Sequence, residues 1–140
     1  MDSEIFSLAL KKDIEIPVTK NVHLAIIREW NSEFLEKNWN AYIINNRDTT
    51  IEMVIIVSKG YDRDRKTSTI RHGLGDIPAK AYKKIELLQD EVIAFNNEFF
   101  VTFFADGKLY EKRFLFKKNS INESNLVPLP VMELEGILAE

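Results

Sequence analysis

In a 140-residue chain without cysteine, covalent or acid–base chemistry must come from hydroxyls, two histidines and the carboxylates. The local grouping best suited to it is Ser68, Thr69 and His72 in the run TSTIRH, because a hydroxyl beside an imidazole is how a nucleophile is activated. These three sit in a basic, β-prone stretch with no G-x-S-x-G elbow to lift a serine clear of a sheet, so the pattern reads as a solvated strand. Neither His23 nor His72 has H-E-x-x-H or comparable ligand spacing around it, which leaves a metal without a ligand set. Gly73-Leu74-Gly75 lacks the third glycine and the lysine of a phosphate-cradling loop. The pairs Glu33/Glu36 and Glu133/Glu135 lie in polar segments, where nothing would raise a carboxyl pKa. The sequence therefore assigns no catalytic residue, no metal and no cofactor.

Binding chemistry is better represented. Lys59 to His72 holds five cations against two acids, and Lys108 to Lys118 holds five against one. The whole chain is nevertheless at −3. Such asymmetry can raise a local potential on an acidic protein. Arg63, Arg65, Lys66, Lys112, Arg113 and Lys117 are the candidate contacts to RNA or tRNA. Tyr110, Lys112, Phe114 and Phe116 fall on one side of an alternating strand, and exposed aromatics beside cations are how a sheet stacks single-stranded bases. The same phenylalanines also serve as ordinary core residues. Trp30, Trp39 and His72 are candidates for a pocket at a sheet rim that would take a small molecule, with a buried tryptophan pair as the alternative.

These residues must be positioned by strands. Asn97 to Phe116 reads NEFFVTFFADGKLYEKRFLF, two apolar runs around Asp106-Gly107, which predicts a β-hairpin with a tight turn. Val22 to Ile27, Trp39 to Ile44, Ile51 to Val57, Thr67 to Arg71 and Tyr82 to Leu88 also read as strands. Asn45 to Asp48 reads as a turn, Lys59 to Asp62 as a break, and Gly73 to Pro78 as a loop. Ser32 to Lys37 (SEFLEK) is a short helical insert between the tryptophans. The spacing predicts one all-β domain over 1–140, an immunoglobulin-like antiparallel sandwich of seven to nine strands, with a closed barrel as the alternative. The expected core is Ile26, Trp39, Ile43, Val54, Ile56, Ile85, Val101, Phe103, Phe114 and Phe116. Residues 1–12 form an N-terminal arm, either helix or strand. Residues 126–140 (LVPLPVMELEGILAE from Leu126) form an extended acidic strap, because two prolines argue against a central strand there.

The segments WNAYIINNRDTTIEMVIIVSKGY, RKTSTIRH, IPAKAYKKIE and NNEFFVTFFADGKLYEKRFLF together resemble a family of small bacterial proteins, some of them labelled phenylalanyl-tRNA synthetase alpha subunit. The resemblance runs from about Asp13 to Leu138 and is general likeness rather than a motif. It implies accessory binding to a synthetase or to tRNA. It carries over no catalytic residue, because none of Arg28, Arg47, Arg63, Arg65, Arg71 or Arg113 sits in the ATP-binding context of such an enzyme.

The absence of cysteine fits a reducing cytoplasm. The first residues carry no cationic leader, and no run nears the roughly 18 apolar residues of a membrane helix. The expectation is a cytoplasmic, non-enzymatic binding or scaffolding module that acts on a protein partner or on a second copy.

Overall fold

The computed structural model describes residues 16–139, so the arm expected over 1–12 lies outside the described residues. The strands are β1 (Val22–Trp30), β2 (Lys37–Asn45), β3 (Ile51–Asp62), β4 (Arg65–Lys66), β5 (Ile70–Ile77), β6 (Ala81–Leu88), β7 (Asn96–Ala105), β8 (Lys108–Phe116), β9 (Val127–Pro128) and β10 (Glu135–Leu138). One short helix, α1 (Asp90–Ile93), joins β6 to β7. The first sheet has the order β6-β2-β1-β10-β9. The second has the order β4-β3-β7-β8, with β5 also paired to β3. Every pairing is antiparallel. The two sheets remain separate around a shared core, which makes a sandwich and not the barrel held as the alternative. The strands beyond the expected seven to nine come from the two-residue β4 and β9.

Alternation builds the core. Val22, Leu24, Ile26, Ala41 and Ile43 of the first sheet meet Val54, Ile56, Phe99, Val101, Phe103, Phe114 and Phe116 of the second. Of the ten residues expected inside, nine are buried, and Trp39 is half-buried against the same cluster. The β7–β8 hairpin forms as its sequence predicts. Asp106 and Gly107 both take positive φ, the conformation a two-residue turn demands. Phe103 faces Tyr110 across the ladder, and the rings stack with centroids 5.0 Å apart.

Four local expectations are corrected. Lys59 to Asp62 does not break β3, which runs through to Asp62. Gly60 has no side chain, so Thr67 closes onto it, with the Gly60 amide donating to Thr67 Oγ1 at 2.7 Å. Gly73 to Pro78 is strand up to Ile77, because β5 needs only its backbone to pair β3, and its irregular register is absorbed at Gly75, whose φ is positive. The expected strand over Thr67 to Arg71 accordingly starts only at Ile70. SEFLEK is a turn, and the helix lies instead at Asp90–Ile93.

The C-terminal segment is laid over the chain's own body. Pro128 sits on the outermost strand, β9, and Pro130 in the following turn. β10 contains no proline and pairs β1 on one side and β9 on the other. A strand flanked on both sides thus forms just past the prolines. Leu129 and Met132 pack with Ala25, Ile27 and Ile44 into a second small core on the far face of the first sheet. Gly136 makes this docking fit: a Cβ there would lie 2.9 Å from the carbonyl oxygen of Ile26 and 2.8 Å from Leu129 Cδ1. A backbone oxygen cannot swing aside as a side chain can. Gly136→Ala is therefore expected to cost about 1–3 kcal/mol by overpacking, measured as a lower urea midpoint, and an unmoved midpoint would contradict this packing.

Candidate functional site

The six basic candidates do not make one uniform patch. Arg63, Arg65 and Lys66 cluster on the β3–β4 hairpin, whose turn places Arg63 at positive φ. Arg65 is committed to Asp62 at 2.8 Å and lies over the Phe95 ring. Lys118 reaches the same carboxylate at 3.1 Å, bringing the end of β8 beside this hairpin. These two cations, Arg65 first, hold the Asp62 carboxyl below its usual pKa. Arg113, on the outward face of β8, is paired with Glu98, which also takes Lys59 at 3.3 Å. The Glu98 carboxylate pushes the Arg113 pKa up. Lys117 follows the end of β8 and is exposed. Arg63 and Lys66 are exposed and have no ion-pair partner among the described residues.

The aromatic residues that would have stacked bases face the core. Tyr110, Phe114 and Phe116 are buried. Lys112 shares their side of β8 yet remains exposed, its ammonium 4.8 Å from the centroid of the Phe114 ring. β8 is the outer strand of its sheet, and a lysine turned inward on such a strand blocks edge-to-edge pairing with another molecule. Its charge also reaches His23. Burial first, and Lys112 second, lower the His23 pKa from its ordinary 6.5. Just below pH 6.5 the unfolded chain then binds a proton that the folded chain refuses, so stability falls as pH drops through that window. Thermal melts should show this decline below pH 6.5, and His23→Gln should flatten it; an equally steep decline in the variant would exclude His23 as the cause.

The rim candidates separate. His72 Nε2 lies 3.2 Å from Glu86 Oε1, joining β5 to β6 where the two sheets approach, and neither Ser68 nor Thr69 hydrogen-bonds to it among the described residues. Trp39 leans on the core under Arg28. Trp30 is 54% exposed, with Lys37 over its ring. None of the three lines the apolar groove of about 190 Å³ between the sheets. That groove is walled mainly by Ile70, Leu87, Leu88, Val92 and Phe99, with Lys59 and Glu86 as its charged lining residues. Lys59 is shared with a neighbouring hollow that contains Arg63 and Lys66. Among the described residues no group of three or more His, Asp or Glu could hold a metal ion, and no helix is long and apolar enough to cross a membrane.

Two of the most exposed large apolar side chains lie in the segment expected to be helical. Between β1 and β2, Phe34 and Leu35 are 75% and 76% exposed. Asn31 fixes this tip. Its Oδ1 accepts from the amides of Glu33 (3.2 Å) and Leu35 (3.0 Å). Its backbone carbonyl accepts from Phe34, and its amide donates to the Glu36 carbonyl. Phe34 is held at φ 57°, a left-handed conformation costly for an aromatic residue. Exposed Glu33 and Glu36 flank the apolar pair. The available signal was Asn31 itself, an asparagine whose side chain can hold a turn by accepting from the amides that follow it.

Compared with known proteins, the chain matches no family model, no curated protein and no solved structure.

Proposed function

We propose that this protein is a non-enzymatic interaction module that docks onto a protein partner through the β1–β2 tip. The observation that carries this reading is the pairing of 75% and 76% exposure at Phe34 and Leu35 with a turn locked by Asn31. Large apolar groups shown to water cost solubility, and a strained φ costs stability. Both are tolerated where a fixed apolar anchor gains affinity by entering a pocket without losing further freedom. Trp30, at the base of the tip, enlarges the apolar surface. Several carboxylates of the sheets are committed to ion pairs: Glu86 to His72, Glu98 to Arg113 and Lys59, Asp62 to Arg65 and Lys118.

Site-specific photo-crosslinking tests this. A photoreactive residue at Leu35 should give discrete protein adducts absent when the same residue replaces exposed Asp48. The partner, once purified, should bind the native chain with a negative heat-capacity change and fail to bind Leu35→Glu. Identical adduct patterns at both positions would defeat the reading.

A further inference from the structure

The chain carries a receptor matching its own tip. The tip is apolar and acid-flanked: Phe34 and Leu35 between Glu33 and Glu36. The inter-sheet groove is mostly apolar, with Ile70, Leu87, Leu88 and Phe99 beside Lys59 and beside Glu86, which is held by His72. The adjoining hollow carries Arg63 and Lys66, without ion-pair partners among the described residues, next to Glu98, whose charge is already taken by Arg113 and Lys59, so the surplus charge there is positive. The groove's volume of about 190 Å³ exceeds the roughly 150 Å³ that admits a benzene ring. Both features lie at one end of the sandwich, because Leu88 of the groove pairs with Trp39, two residues beyond the Lys37 that closes the tip. Within one chain the tip leaves the groove open, since Phe34 and Leu35 remain exposed.

We infer that the protein forms a reciprocal dimer in which the β1–β2 tip of each copy enters the inter-sheet groove of the other. This rests on the tip being a docking element and names a second copy of the chain as its partner. Two complementary features at one end suit a two-fold arrangement, in which each copy gives its tip and receives the other's. Opposite charge at tip and lip orients the encounter and makes association fall with salt.

The test is sedimentation equilibrium of the full chain and two variants. Leu35→Glu spoils the tip, and Ile70→Glu places a like charge in the groove; both positions are exposed, so thermal melts should match the native chain. The native chain should sediment above the 16.3 kDa of one copy as concentration rises, and more weakly at high salt. Each variant alone should associate about thirtyfold more weakly or worse, the effect of losing a central anchor. An equal mixture of the two should regain association, since one intact tip then faces one intact groove. Three results would overturn the inference: a native chain of single-copy mass throughout, an Ile70→Glu chain that dimerises undiminished, or a mixture no better than its parts. If the native chain is monomeric while Leu35 still crosslinks a different protein, the tip remains a docking element and only its self-association fails.

Discussion

Replacing Phe103 by alanine is expected to lower stability by about 3–5 kcal/mol, the range for deleting a buried aromatic ring from a core that cannot fully collapse. Phe103 is 1% exposed and lies in the cluster shared by both sheets. Its ring stacks on Tyr110, which carries the Arg47 guanidinium on its other contacts, and Arg47 in turn binds Asp106 of the turn at 2.9 Å. Removal therefore loosens the hairpin turn as well as the core. A urea titration should show a lower midpoint at an unchanged slope. Phe103→Leu, which keeps most of the volume, should cost far less. An alanine variant with the native midpoint would contradict the burial of this ring.

The second large effect concerns Asn45, a wholly buried polar residue at the end of β2. Its Nδ2 donates toward the carbonyls of Thr49, Ile77 and Pro78, each at 3.0 Å, and its Oδ1 accepts from the Arg47 amide at 3.0 Å. One side chain thus ties the β2–β3 turn to the end of β5. Asn45→Asp keeps the shape, removes the donor and points a carboxylate at three carbonyl oxygens. The expected loss at neutral pH is at least about 3 kcal/mol, from unsatisfied buried acceptors and a buried charge. The burial that opposes this charge raises the new carboxyl pKa above its unfolded value of about 3.9. The folded variant then holds a proton that the unfolded chain has released, so its deficit should shrink on acidification toward pH ~4 and grow as pH rises. Denaturant titrations across that range measure it. A deficit that ignored pH would mean the carboxylate had escaped to solvent.

The sequence was legible where local and long-range demands agree. Asp106-Gly107 between alternating aromatics specifies both turn and register, and nine of the ten expected core residues are buried. It was misleading where backbone alone does the work. β5 pairs through Gly73 and Gly75, residues that ordinarily signal a loop, and β10 follows two prolines that discourage a strand. Ser32 to Lys37 imitates a helix because Phe34 and Leu35 are apolar among charges, a pattern that periodicity cannot tell from a display tip. The basic residues were visible in the sequence, but not their partners. Glu98 reaches Arg113 only across strands, Lys118 reaches Asp62 from the far end of the β7–β8 hairpin, and the inward turn of Tyr110 and Phe114 follows from which face of the sheet meets the other. The groove was invisible for the same reason, since Ile70, Leu88 and Phe99 meet only in three dimensions.

The pairing of β1 with β10 sets an order on biosynthesis. As the chain leaves the ribosome, Val22 to Trp30 emerges more than a hundred residues before its second neighbour at Glu135–Leu138. During that interval one flank of the nascent strand stands bare, with Ala25 and Ile27 uncovered beside it. Closure waits for Glu135–Leu138, which makes loss of those few residues far more damaging than their number suggests, and makes the growing chain a natural client for chaperones during that interval.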